Sequence, residues 1–171
     1  MIIVADTSPL NYLIQIECDH LLQQLYSKIV VPSAALLELS HAGAPSAVRQ
    51  WLSRVPAWIE VLVPASPLDA SLAYLGLGER EAIQLAQEQH ADLLLIDERK
   101  GRLEAKRRGL STAGTLGVLL SAAEQKLVDP ETAYRRLVDQ TTFRTSHELG
   151  DSILHACSVP FKIRPTEPFI N

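Results

Sequence analysis

The sequence predicts an α/β domain built on a largely parallel sheet, and three observations carry that prediction. Short β-branched runs alternate with amphipathic stretches along the 171 residues, the order expected when each strand is followed by a crossover helix. The runs at Ile2–Ala5 and Leu93–Ile96 are apolar on both faces, as in central parallel strands covered by helices on either side. The length suits one domain with one core, and 47% hydrophobic with 21% charged residues is an ordinary balance for a folded chain.

The strands are expected at Ile2–Ala5, Lys28–Val31, Trp58–Val63, Leu93–Ile96 and Leu110–Ala113. Between them the helices carry start and stop signals. Ser8-Pro9 reads as an N-cap with proline in the first turn, followed by Leu10, Leu13 and Ile14 at helical spacing. Asp19 reads as a cap before Leu21, Leu22 and Leu25, and Ser33 opens a helix expected to run to Gly43. Ser46 precedes Val48, Trp51, Leu52 and Val55, a continuous apolar face. Gly78 leads into Glu79–Gln89, and Glu98–Arg108 stops at Gly109, a natural C-terminal cap. Asp129-Pro130 and Ser146 start two further helices, and the proline-containing tail after Ala156 has no clear pattern.

Bulk properties exclude several classes. The longest apolar run, around Leu93–Ile96, is far too short to span a bilayer. No basic start with an apolar stretch and a small-residue cleavage site appears, so the expected location is the cytoplasm. Cys18 and Cys157 have no metal-like spacing and read as reduced thiols. The five histidines, too, are scattered without ligand spacing. A net charge of −4 argues against coating nucleic acid through global charge, while leaving room for a local basic patch.

In an open parallel sheet, ligands sit beyond the carboxyl ends of the strands. Asp6 and Asp97 follow their strands immediately, Glu38 lies early in the helix after Lys28–Val31, and Glu81 lies in the first turn of the helix leading to Leu93. Four carboxylates thus converge on one edge. Glu88, Glu124 and Glu60 fall late in a helix or within a strand and fail that test. Two like charges about 4 Å apart repel by roughly 4 kcal/mol at an effective dielectric near 20, so such a cluster calls for a cation. An all-oxygen set without His or Cys favours Mg2+ or Mn2+ over zinc.

Each acid also has a plainer explanation. An Asp after a strand is often a loop or cap residue, and Glu81 alone is a favourable charge near a helix N-terminus. Glu38 interrupts the apolar run Ala34-Ala35-Leu36-Leu37-Glu38-Leu39, although an amphipathic helix edge also accounts for it. The joint pattern carries the argument.

These residues resemble the PIN-domain family of VapC-like ribonucleases. The start Ile-Val-Ala-Asp6-Thr7-Ser8-Pro-Leu is similar to the opening of PIN domains, and Val31-Pro32-Ser33 with Glu38-Leu39 to their second acidic segment. Leu77-Gly78-Glu79-Arg80-Glu81-Ala82-Ile83, Leu94-Leu95-Ile96-Asp97-Glu98-Arg99-Lys100-Gly101-Arg102 and Gly114-Thr115-Leu116-Gly117-Val118-Leu119 resemble a prokaryotic branch often described only as predicted nucleic-acid-binding proteins. The match runs to about Ala156, giving an expected domain over 1–156 and a tail over 157–171. The resemblance implies a three-layer α/β/α sandwich with a central, mainly parallel five-stranded sheet. It implies Mg2+- or Mn2+-dependent hydrolysis of single-stranded RNA, with Asp6, Glu38, Glu81 and Asp97 as metal ligands and catalytic acids. Many relatives are toxins held by a small antitoxin protein, and many are homodimers, so both partners enter as expectations. The third acid is commonly Asp in toxins; here Glu81 takes the place by the register of Ala82-Ile83 and Leu85-Ala86, with Glu79 as its rival.

Secondary candidates surround these four. Thr7 and Ser8 are placed to hydrogen-bond a metal-bound water, with helix capping an equal account of Ser8. Thr115 opens at the same edge and reads first as a helix cap. The helix after Asp97 carries Arg99, Lys100, Arg102, Lys106, Arg107 and Arg108. Phosphate guidance and a plain solvated face are even alternatives there, with Arg102, one turn past Asp97, the preferred contact. Phe143-Arg144-Thr145-Ser146 resembles a C-terminal segment of the same branch, with no mechanism attached.

Two enzyme rivals fit poorly. A phosphorelay receiver needs paired acids after the first strand and a Lys after the last, and here those strands end Ala5-Asp6 and Ala113-Gly114. A haloacid-dehalogenase phosphatase needs a second Asp two residues past the first, where Ser8 stands. The alternative that remains is a PIN-like module that binds RNA or protein without cleaving it.

Overall fold

A computed structural model describes residues 1–145. Five strands, β1 (Ile3–Ala5), β2 (Ile29–Pro32), β3 (Ile59–Leu62), β4 (Leu93–Leu95) and β5 (Thr112–Ala113), form one sheet in the order β3-β2-β1-β4-β5, every neighbouring pair parallel. All five overlap expected strands; four are trimmed by a residue or two, and β2 is shifted one residue, losing Lys28 and gaining Pro32. The fifth keeps only two residues, with the rest of Leu110–Ala113 outside it.

The pleat divides the core into two layers. Ile3, Ala5, Ile29, Val31 and Leu95 face one apolar cluster, whereas Val4, Val30, Leu94 and Ile96 face the other. The first is covered by α1 (Thr7–Gln15), α2 (His20–Tyr26), α3 (Ser33–Leu39), α4 (Ser46–Leu52), α7 (Thr115–Glu124) and α8 (Pro130–Gln140). The second is covered by α5 (Leu77–Glu88) and α6 (Arg99–Arg107). Strands buried on both faces explain why β1 and β4 read as unbroken apolar runs.

Several local expectations need correction. The N-cap position of α1 is Asp6, not Ser8, and Asp6 makes no side-chain capping bond. Asp19 does precede α2, but its carboxylate accepts from the Trp51 indole at 3.0 Å instead of capping, tying α4 to α2. Helix α3 stops at Leu39, with Ser40 rather than Gly43 at its end; the Ser40 hydroxyl donates back to the Leu37 carbonyl. Helix α5 begins one residue before Gly78, behind Gly76. The capping of α8 by Asp129 holds, its carboxylate accepting from the Thr132 amide at 2.8 Å. Gly109 follows α6 with φ +78, a conformation that favours glycine. Helix α7 starts at Thr115, where the sequence reads as a helix cap without fixing the helix's extent, and a short 3-10 helix at Ala70–Leu72 was not among the expected elements. The helix expected from Ser146, the boundary near Ala156, the tail and Cys157 lie outside the described residues; Cys18 is a buried free thiol. Among the described residues, no helix is long and apolar enough to cross a membrane.

Candidate active site

Because all strands run one way, their carboxyl ends share one edge. Chain connections leave β1 toward β2 on one side, while β4 lies on the other, so the strand order reverses between β1 and β4. The crevice outside such a switch point is where open parallel sheets bind ligands. Asp6 leaves β1 on one bank and Asp97 follows β4 on the other; the Asp6 amide donates to the Leu95 carbonyl at 2.9 Å, fixing the banks to each other.

Asp6 is only 2% exposed, and its Oδ1 has no hydrogen-bond partner. Its carboxyl is raised from 3.8 to about 7, chiefly by burial and with help from the charges of Glu79 and Glu38, against the opposing amides of Thr7 and Ser8. Glu38 projects from α3 and is clamped at both oxygens. Oε1 accepts from the Gly78 amide at 2.8 Å and Oε2 from the Thr7 hydroxyl at 2.6 Å. Thr7 therefore spends its proton on Glu38. A Cβ at Gly78 would lie 2.7 Å from Glu38 Oε2 and 2.8 Å from Thr7 Oγ1, so the clamp requires glycine.

The two glutamates of α5 diverge. Glu79 Oε2 accepts from the Gly76 amide at 3.0 Å, while Oε1 is buried without a partner. Its carboxyl is raised, first by burial and then by Glu98 and Glu38, with the Gly76 amide and Lys100 opposing. Glu81 reaches the same edge but is turned to α3: its Oε2 accepts from the Ala34 amide at 3.0 Å and the Ser33 hydroxyl at 3.3 Å. It thus caps the start of a neighbouring helix, a role suited to a carboxylate near free amides.

Asp97 is held by one residue. Its Oδ1 accepts from the Thr115 amide at 2.8 Å and its Oδ2 from the Thr115 hydroxyl at 2.6 Å. Burial raises its carboxyl, and the Thr115 bonds and the charge of Arg102 oppose that rise. Thr115 is fully buried at the first position of α7 behind Gly114, so it positions Asp97 rather than capping its own helix. Sequence reasoning weighed Thr115 and preferred the cap; its place directly after the last strand was the signal available.

Ser8 and Arg102 line a cleft of ≈ 940 Å³ that opens beside Asp97. The basic stretch of α6 divides. Arg108 binds Glu104, Asp69, Gln87 and Ser71, joining α6 to α5 and the loop before it. Arg99 and Arg102 face the cleft.

The donor set is all oxygen, and two buried oxygens, on Asp6 and Glu79, lack any donor. Unsatisfied buried acceptors are costly, and a hard divalent cation is the partner that fits this chemistry. Among the described residues, no three ligating side chains stand close enough to hold one ion as they are arranged.

A family described as PIN domain matches residues 2–158. A solved PilT N-terminus domain protein from the hyperthermophilic archaeon Sulfolobus solfataricus P2 is similar in fold, with a TM-score of 0.52 at 21% identity over 72% of this chain and 95% of that one. None of the curated proteins matches the chain.

Proposed function

Because the chain belongs to the PIN-domain family, we propose that it is a metal-dependent nuclease that hydrolyses phosphodiester bonds of single-stranded RNA. The observation that supports this most is Asp6, a carboxylate buried at the switch point with an unsatisfied oxygen and two acidic neighbours. Burying an acid this way costs stability, and a fold keeps such a cost where chemistry needs it. In this reading Asp6, Glu38, Glu79 and Asp97 hold Mg2+ or Mn2+. The third acid is Glu79 rather than Glu81, because Glu79 acts on Asp6 through its charge and keeps a buried oxygen without a partner, whereas Glu81 is turned to the start of α3. When bound, such an ion lowers the pKa of water and neutralises charge developing on the phosphate.

The residues of the chain do the rest. The Gly78 amide and Thr7 hydroxyl fix Glu38, and the amide and hydroxyl of Thr115 fix Asp97, so each carboxylate is oriented before substrate arrives. Arg102 lies near enough to Asp97 to bias its ionisation and lines the cleft through which a phosphate would approach. Purified protein is expected to cut single-stranded RNA with Mg2+ or Mn2+, to stop with chelator, and to lose activity in Asp6→Asn and Asp97→Asn while staying folded. Cleavage by those variants at the parental rate refutes the assignment.

A second reading has one observation in its favour. Among the described residues no three ligating side chains are gathered for an ion, which suits a module that binds RNA without cutting it; RNA binding with no cleavage under any metal condition selects it. The toxin role, a small antitoxin partner, homodimerisation and a cytoplasmic location extend the first reading through family resemblance. Arrested growth on expression, relieved by a small protein encoded beside this chain, is the expected sign of the toxin role.

A further inference from the structure

We infer that the segment Thr142–Thr145 after α8 is the second wall of a binding track for the phosphates of a single-stranded RNA, with Arg144 as its contact residue. This rests on the nuclease reading for its direction, since the track leads to Asp97. The cleft beside Asp97 has α6 on one wall, contributing Arg99 and Arg102, and this segment on another, contributing Phe143 and Arg144. Phe143 is the anchor. It is 8% exposed, and its ring meets Tyr12 of α1 edge-on with centroids 5.3 Å apart. The Phe143 amide donates to the Thr141 hydroxyl at 3.0 Å, which itself donates to the Leu137 carbonyl at the end of α8. A hydrophobic plug and two hydrogen bonds therefore fix the backbone just before an exposed arginine, whose guanidinium also donates to the Phe143 carbonyl at 2.9 Å.

Charge points the same way. Among the described residues, Arg99, Arg102 and Arg144 take part in no ion pair, whereas Arg107, Arg108 and Arg135 each pair with an acid. On a chain of net charge −4, three guanidinium groups without salt bridges among the described residues gather around one cleft and, although Asp97 and Glu98 line it too, make it a local anion site. Guanidinium groups match phosphate geometry. The half-buried Tyr12, which also lines the cleft, adds an aromatic surface of the kind on which unpaired bases stack.

The test is binding, measured apart from cleavage. Fluorescence anisotropy with a labelled single-stranded RNA of about ten nucleotides, in chelator, compares the parent with Arg144→Ala, Arg144→Lys and, as a control outside the cleft, Arg135→Ala. Arg144→Ala is expected to weaken binding about tenfold and to flatten the dependence of log K on log salt by about 0.7, the loss of one phosphate contact. Arg144→Lys recovers part of both, and Arg135→Ala changes neither. A parental protein that cleaves RNA while Arg144→Ala binds with unchanged affinity and salt slope overturns the track and leaves the nuclease reading standing. Arg144-dependent binding with no cleavage under any metal supports the track and removes the nuclease reading. No binding by the parent overturns the track.

Discussion

Replacing Asp6 with Asn should make the metal-free protein more stable, and increasingly so as pH rises. Asp6 has its carboxyl raised to about 7 in the folded chain from 3.8, chiefly by burial. The folded state therefore holds a proton between those values that the unfolded chain has released, and stability falls as pH rises through that window. Above the folded value the loss is complete; a shift of about three units corresponds to about 4 kcal/mol at about 1.36 kcal/mol per unit. Asn keeps the shape and one acceptor and carries no charge, so it escapes the penalty. Linkage gives a gain of about 2 kcal/mol for Asp6→Asn at pH 5 and about 4 kcal/mol at pH 8. Denaturant melts of both proteins in chelator at the two pH values measure the difference directly. A constant difference, or a parent that gains on the variant as pH rises, refutes the reasoning. Mn2+ at a hundred times its Kd for the parent adds about 2.7 kcal/mol to the parent alone, so the order should reverse at pH 5 and the variant's lead should shrink to about 1 kcal/mol at pH 8.

Three more substitutions separate site from scaffold. Glu79→Gln should abolish cleavage while leaving stability in chelator at or above the parent's, whereas Glu81→Ala should cost about 1 kcal/mol as a lost helix cap; activity assays on melt-checked Glu79→Gln and Glu81→Gln decide which glutamate serves, and the opposite pattern returns the role to Glu81. Thr115→Val removes the hydroxyl from Asp97 Oδ2 and should lower activity or metal affinity by about 10–100-fold, with a pH–rate profile displaced upward, since Asp97 loses a bond that holds its carboxyl down. Gly78→Ala puts a methyl 2.7 Å from Glu38 Oε2 and 2.8 Å from Thr7 Oγ1 and should depress cleavage far more than it lowers the melting temperature, because Glu38 must leave its clamp while the helix propensity of Ala, worth up to about 1 kcal/mol, offsets part of the strain.

The sheet was legible in the sequence because burial on both faces leaves continuous apolar runs, and the same runs located the edge where Asp6 and Asp97 emerge. Helix termini were less legible. Ser8 and Asp19 have the composition of caps, but a first turn set by Asp6 and an indole donated from Trp51 took precedence, and those contacts join residues far apart in sequence. The third acid was ambiguous for a related reason. Glu79 and Glu81 are two positions apart on one helix, about 200° around its axis, so register alone leaves open which faces Asp6. Ser33 and Ala34, more than forty positions earlier in the chain, claim Glu81.

The glycines make the same point from the other direction. Gly78, Gly101 and Gly114 each stand where a Cβ would come within 2.7 Å of an acid's oxygen: Glu38 Oε2, Glu79 Oε1 and Asp97 Oδ1 respectively. In sequence Gly78 and Gly101 sit at helix starts and Gly114 after a strand, places where glycine has ordinary explanations. In three dimensions, none of the three needs a left-handed backbone; among the described residues the glycine with positive φ is Gly109, where nothing lies close. What they share is room for a carboxylate. At Gly101 packing shares the claim, since a Cβ there would also meet Ile96 Cδ1 at 2.5 Å; at Gly78 and Gly114 the nearest atom is a carboxylate oxygen, and burying acids next to backbone costs free energy unless their oxygens are satisfied. Two of the four acids, Glu38 and Asp97, are satisfied by amides and hydroxyls, while Asp6 and Glu79 each retain an oxygen without a donor. A fold that supplies donors to two carboxylates, withholds them from two others, and sets glycine against three of the four is arranged to present oxygens to something that carries positive charge.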